Sequence, residues 1–459
     1  MKKTMMKSAL LGFLIVVSLY QVATLWFDNV SDRNVFYSLI KDTANKIFEP
    51  RLENEKEYMI KPETMGAYLA LSDKDFTVVP RSNPSNKKIL SASTVVIEKA
   101  LKEGKEEEAE EASFIWQKRG FCFELPMEMS KEQLKSDFKL NSSAIKLLNS
   151  TTMIGIVPIA DEDKKILIYM MDKETNKLIV YRTDKKGIAE EVRLLEAELN
   201  GLEKTEKGAY ISTLKNDISL FANPVLILLP SNNVNYFEKI KLSLPFLDKE
   251  GKVFLEEELE NYVDKFFKNP NVKWSVQNKD VMIYGDDASL VKYSKQGLIE
   301  YTAIQSTEVI NPNLSGDYNV AYSFLMNDKI MQNEDFYLKD YKTEKTKTIF
   351  NFSYGYDGYP LCLDNELLKA NNMIYPVEIT VENGKVLKYR RLLFEMELQN
   401  RQYSFKGQFE RVLNEFLENN KVAERELEDM YLGYSFKDKE GTLKWIIRTR
   451  DQKFDMEIH

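Results

Sequence analysis

The chain opens with MKKTMMK, runs into SALLGFLIVVSLYQVATLWF, and leaves it through DNVSDR. Residues 8–27 form an uncharged, mostly apolar stretch of twenty residues. As a helix that stretch would measure about 30 Å at ~1.5 Å per residue, the thickness of a bilayer core. Beyond it the apolar positions fall into shorter periods. Strand-like pieces occur at 76–79, in FIWQ and in FCFEL. SKEQLKSDF predicts a short helix, with Ser130 as its cap and Gln133 at the capping-box position. Residues 154–158 read as a strand, and 165–171 and 178–182 alternate around KETN as a hairpin. Val192, Leu195 and Leu199 make one stripe of a helix over 189–200.

A second region starts near Phe221. Leu255, Leu259, Tyr262, Val263 and Phe266 share one face of a helix expected over 255–267. VMIYGDDASLVKYSKQGLIEYTAI then predicts a three-stranded meander at 281–284, 290–293 and 298–304. In the third region, VEITVENGKVLKYRRLLF places Asn383-Gly384 between two β-rich runs, a strong hairpin signal. Val377, Ile379 and Val381 would face a core, with Glu378, Thr380 and Glu382 outward. FNFSYGYDGYPL is an aromatic strand turning at Asp357-Gly358, 409–417 is helical, and MYLGYSFKDKEGTLKWIIRT closes as a hairpin.

These elements define an α+β chain: an N-terminal transmembrane helix, then a multi-domain ectodomain of antiparallel sheets with flanking helices. The divisions expected are a cytoplasmic tail (1–7), an anchor (8–27), a juxtamembrane stalk (28–60) and an N-terminal α+β domain (61–220). A middle α+β domain (221–315) and a C-terminal β-rich domain (316–459) follow.

Charge orients this arrangement. Lys2, Lys3 and Lys7 precede the apolar run, and Asp28 and Asp32 follow it, so the N-terminus lies in the cytoplasm and the bulk of the chain outside the cell membrane. A cleaved signal would have a shorter apolar core ending in small residues; this run ends in Leu25, Trp26 and Phe27. Without its three N-terminal lysines, the formal charge of -8 becomes -11 outside. So acidic a chain lacks the basic face that nucleic acid requires.

The composition also excludes chemistry. The single His is the last residue, His459, where no nucleophile pair could be held. Two Cys and one His are too few for the common zinc sites, and no Gly-rich nucleotide-binding signature is present. We therefore expect no catalytic residues, no metal and no cofactor. Cys122 and Cys362 stand 240 positions apart, with nothing in the sequence to join them. The acidic run KEGKEEEAEE reads as a solvated loop or helix tip, with a cation site as the alternative. Paired carboxylates across a cleft leave a cell-wall hydrolase as one enzymatic alternative. A wall-polymer or peptide-binding module without kinase contact is another. For that module, Phe350, Phe352, Tyr354, Tyr356 and Tyr359 could stack on sugars, although their alternation suits core and turn packing better.

Three stretches resemble the YycH family of membrane-anchored regulators. The first is Tyr284-Gly285-Asp286 followed by Gly297-Leu298-Ile299-Glu300-Tyr301. The second is FNFSYGYDGYPL with the hairpin VEITVENGKVLKYRR, similar to the YycH/YycI pattern that ends in Tyr-x-Arg. The third is the Leu-Gly-Tyr of LEDMYLGY with Trp445 downstream. The resemblance implies a regulator that associates with the WalK sensor histidine kinase and a YycI-like partner in a system controlling cell-wall metabolism. It implies contact through membrane helices and the ectodomain.

Within the anchor, Ser8 and Gly12 form a small-xxx-small pair, and Ser18, Gln21 and Thr24 a second, polar face. An unpartnered intramembrane amide is costly, so Gln21 is the more informative marker of a partner helix. A homo-oligomer is a further expectation.

Overall fold

The computed structural model describes residues 64–68, 76–79, 83–109, 118–159, 164–175, 177–205, 210–212, 220–221, 226–228, 235–248, 250–303, 314–328, 330, 334–356, 359–405, 409–420, 426–437, 439–449 and 453–456. All lie in one compact unit, Tyr58–His459. The anchor with Ser8, Gly12, Ser18, Gln21 and Thr24, the stalk, FIWQ and the Asp357-Gly358 turn lie outside the described residues. Among the described residues, no helix is long and apolar enough to cross a membrane.

Two sheets organise the chain. The first contains β1 (Thr64–Tyr68), β2 (Phe76–Val78), β3 (Lys105–Glu108), β4 (Gly120–Ser130), β5 (Ser150–Val157), β6 (Ile166–Asp172), β7 (Leu178–Thr183), β8 (Tyr210–Ser212) and β9 (Leu226–Leu228). Their spatial order is β3-β7-β6-β5-β4-β1-β2-β8-β9, antiparallel throughout the described pairings. Helices α1 (Pro84–Glu103) and α3 (Ala189–Thr205) share a core with one face of this sheet, where Ile89, Val96, Val192, Leu195 and Leu199 meet Ile154, Ile168 and Tyr181. On the other face Phe76, Cys122, Val157, Leu167 and Val180 make a smaller core. Burial on both faces explains why β6 and β7 read as continuous apolar runs.

Between β4 and β5 stands α2 (Lys131–Asp137), whose cap Ser130 accepts from the Gln133 N–H at 3.3 Å, as the capping box predicts. The twenty-residue α1 was not foreseen, because Thr94-Val95-Val96-Ile97 is a β-branched run that reads as a strand. Asn83, accepting from the Ser85 N–H at 2.9 Å, and Pro84 in the first turn are the start signals that outweigh it.

The acidic run is corrected by the structure. Lys105–Glu108 is edge strand β3, and Gly104 ends α1. Its carboxylates are engaged: Glu106 accepts from the Lys146 and Leu147 N–H groups and the Tyr181 hydroxyl, Glu107 pairs with Lys105 and Arg182, and Glu108 with Lys177.

The second sheet is built from β10 (Asn235–Ser243), β11 (Trp274–Asn278), β12 (Val281–Gly285), β13 (Ser289–Ser294), β14 (Leu298–Ala303), β15 (Glu334–Thr343), β16 (Lys347–Tyr356), β17 (Tyr359–Cys362), β18 (Val377–Glu382), β19 (Lys385–Leu392), β20 (Glu395–Phe405), β21 (Leu427–Lys437), β22 (Glu440–Thr449) and β23 (Lys453–Met456). The path is β11-β12-β13-β14-β19-β18-β16-β17-β21-β22-β10-β20, with β15 on β16 and β23 on β22. The meander thus has a fourth strand, β11, at its outer edge. It joins the Asn383-Gly384 hairpin through β14–β19, and Tyr301 pairs in register with Tyr389. Short β17 runs parallel to β21 and links the two halves.

Helices α4 (Glu256–Val263), α5 (Leu314–Asn327), α6 (Asn365–Ala370) and α7 (Phe409–Asn419) complete this part. The helix expected over 255–267 is shorter: Asp264–Phe266 continues as a 3-10 turn, and Leu255, at the cap, is exposed. Val377, Ile379 and Val381 are buried as expected, but so is Thr380, a short side chain flanked in register by Ile349 and Lys388. Cys122 and Cys362 are buried, one in each sheet, and are not joined by a disulfide.

The two sheets touch where β4 is irregular. Between Glu124 and Met129 its register with β5 shifts, and Met127 joins the core of the second sheet. Beside it, the Ser315 hydroxyl of α5 donates to Asp137 of α2 at 2.9 Å. A cavity of about 20 Å³ between them, lined by Leu125, Met129, Gln133 and Tyr318 among others, has room for one water.

Candidate functional site

Four of the residues that carry the family resemblance, Tyr301, Tyr354, Tyr389 and Arg391, converge in space. On β19, Tyr389 and Arg391 sit two positions apart and so point to the same inner face, while Arg390 between them points outward. Arg391 is fully buried and makes a fork. Its Nη1 donates to Asp328 Oδ2 at 3.0 Å and to the Asp328 carbonyl at 2.5 Å, and its Nη2 donates to Glu334 Oε1. Nε donates to the Tyr354 hydroxyl at 2.8 Å, and that hydroxyl donates in turn to the Leu392 carbonyl. Asp328 also accepts from Tyr389 and, at 2.8 Å, from Tyr262. Lys265 reaches the same carboxylate from the surface. Two cations therefore face two carboxylates, and the cluster is neutral.

Rings close around it. Phe336 and Tyr354 lie 5.0 and 5.4 Å from the guanidinium carbon, and Phe266 packs with Tyr301, Phe324 and Tyr389. Burial opposes the charge on Arg391, but Tyr354, Tyr389 and the two carboxylates outweigh it and hold the guanidinium protonated. Burial also pushes the Tyr262 and Tyr389 hydroxyls far above the usual phenol range, so both remain donors. It pulls the Lys265 ammonium down, against the opposing pull of Asp328. Neutral, hydrogen-bonded and packed among aromatic rings, with Arg391, Asp328 and Glu334 buried and Lys265 partly exposed, this arrangement fixes geometry.

The other motif residues do similar work. Asp286 accepts from the Ala288 and Ser289 N–H groups at 2.9 and 2.6 Å, closing the turn after Gly285. Gly285 itself leaves room for Trp274, whose ring would stand 2.5 Å from an added Cβ. Glu300 pairs with Arg390 at 3.0 Å on the outer face. Trp445 is buried opposite Leu432.

Of the aromatic series considered for sugar stacking, Phe350, Phe352 and Tyr354 are core residues, and Tyr356 and Tyr359 are half-buried against them. Among the described residues, each deeply buried carboxylate has a structural partner. Asp172 accepts from the Asn149 and Thr175 N–H groups, Asp317 from the Thr348 hydroxyl, and Asp328 and Glu334 from Arg391. Among the described residues, no group of three or more His, Cys, Asp or Glu is placed to hold a metal. Sequence reading did not find the Arg391 cluster. The Tyr389-Arg390-Arg391 alternation was its visible half; Asp328 follows the end of α5 and Glu334 opens β15, in a polar stretch of sequence that nothing distinguishes from other acidic surface.

Two large sheets, antiparallel except where short β17 joins β21, with helices packed against them, make this an α+β fold. The crystal structure of YycH from Bacillus subtilis matches 88% of this chain and 97% of its own, with TM-score 0.52 and 11% sequence identity. The fold is YycH-like. The Bacillus megaterium YpeB C-terminal domain matches 44% of this chain and 96% of its own, with TM-score 0.29 and 11% identity. No family model matches the sequence, and no curated protein matches it.

Proposed function

We propose that this protein is a membrane-anchored, extracytoplasmic regulator of a two-component sensor histidine kinase that controls cell-wall metabolism. It acts by protein–protein contact through its transmembrane helix and ectodomain, with no reaction of its own. The observation that carries this reading is the YycH-like fold over nearly the whole ectodomain, together with the apolar run at 8–27 and its flanking lysines. The buried Arg391 cluster supports it: its charge is spent on shape, as a binding protein requires. The partners on this reading are the kinase and a YycI-like protein, met through the Ser8/Gly12 face and the Ser18/Gln21/Thr24 face.

Co-purification from membranes tests this. The full chain should retain a sensor kinase with its own anchor and lose it when residues 8–27 are replaced by an unrelated span. Gln21→Leu should weaken retention by itself. Equal recovery with both anchors would remove the transmembrane contact, and absence of any kinase would remove the reading.

A further inference from the structure

Residues 139–149 leave α2, reach edge strand β3 and return to β5. In the sheet order β6 and β7 lie between those two strands, so the segment spans both as a strap. Ile145 and Leu148 of the strap are buried with Leu134 and Phe138 in the core that α1 and α3 share with the sheet. Its backbone is strained. Lys139 and Ile145 hold positive φ, 49° and 57°, a costly conformation for a β-branched residue such as Ile145. Lys139 follows the last turn of α2, a helix end at which glycine is favoured.

One side chain holds the tip of the strap. Glu106 of β3 accepts from the Lys146 N–H at 2.8 Å through one oxygen and from the Leu147 N–H at 2.9 Å through the other. Among the described residues, these are the hydrogen bonds by which 141–148 reach anything outside the strap. The Tyr181 hydroxyl donates to the same carboxylate at 2.8 Å. Glu106 is half-buried, so water or another donor can compete for it.

We infer that residues 139–149 are a latched strap, that Glu106 is the latch, and that its release loosens the joint between the two sheets. Backbone strain favours opening, while the Glu106 bonds and the burial of Ile145 and Leu148 oppose it. Both ends of the strap are fastened to α2. The Leu140 N–H donates to the Lys135 carbonyl at 2.8 Å, and the Asn149 carbonyl accepts from the Lys131 N–H at 2.8 Å. Helix α2 in turn meets the second sheet's α5 through Asp137 and Ser315. A strap that lifts therefore takes away the support under α2, and with it the footing of that contact. One carboxylate at an edge strand is thereby coupled to the joint, and a donor that draws Glu106 away at β3 acts there at a distance. The device lies within the folded body and does not depend on the anchor or on which partner the chain meets.

Hydrogen exchange of the full chain in detergent, read by mass spectrometry, tests this. In Glu106→Ala, exchange should rise at least tenfold in segments 139–145 and 132–138, whose amides Glu106 does not touch. Exchange in β6 should stay as in the parent. Tyr181→Phe removes the third bond to Glu106 but keeps the latch, and should leave both segments unchanged. Lys139→Gly relieves a positive φ at an exposed residue and should slow exchange in both. Unchanged exchange of 139–145 in Glu106→Ala would overturn the proposal, as would an equal rise in β6, which would mean general unfolding. So would a rise in Tyr181→Phe or Lys139→Gly, or an α2 that stays protected while 139–145 opens.

Discussion

Arg390 and Arg391 are neighbours in sequence on opposite faces of β19, and their surroundings set what each contributes. Arg391 is buried on a fork of two carboxylates, whereas Arg390 meets Glu300 at the half-exposed outer face. Arg391→Met leaves Asp328 and Glu334 buried without their main cation, and should destabilise the protein by about 3–5 kcal/mol in urea unfolding. Arg390→Ala should cost at most about 1 kcal/mol. Reversal of that order would show that the cluster does not hold the sheet. Sequence reading reached this site only in part. The spacing of Tyr389 and Arg391 was legible because a strand has a fixed period, but their carboxylate partners come from 57 and more positions away, along a path no local period describes.

At the scale of elements, the Asn383-Gly384 hairpin stands as its sequence predicts, with both residues at positive φ, 54° and 69°. Gly384→Ala meets no neighbouring atom within 4 Å, so its effect isolates backbone strain and should be a loss of about 1 kcal/mol. The contact between α2 and α5 has a pH signature. Burial raises the Asp137 carboxyl above its ordinary value, with the Ser315 hydroxyl pulling the other way. An acid whose pKa is raised on folding binds more protons folded than unfolded, so its contribution to stability falls as pH rises from the ordinary value, 3.8, through the folded one. Asp137→Asn should therefore be more stable than the parent above that window and equal to it below, measured by thermal unfolding from acid to neutral pH. An advantage that grows towards acid would contradict this. Elements with a turn or cap signal, such as the β18–β19 hairpin and α2, were legible. Missed elements lacked a dominant period: α1 is rich in β-branched residues, and β11 is exposed on both faces, so no alternation marks it.

For the whole molecule, the α+β class, the antiparallel sheets and the YycH-like layout were readable from hairpins and motifs. The joining of the meander to the C-terminal hairpin was not, because pairing of β14 with β19 closes about ninety residues of chain. On the proposed function, the folded body and the apolar run at 8–27 together bias a kinase between states. Regulation of that kind needs a difference in binding between the two kinase states of about 1–3 kcal/mol, or roughly 5–150-fold. The most direct measurement is the autophosphorylation rate of a partner sensor kinase in lipid vesicles, with and without the full chain. The expected result is a change of at least about fivefold, lost when residues 8–27 are exchanged for an unrelated span. An unchanged rate while the chain remains bound to the kinase in the same vesicles would contradict it.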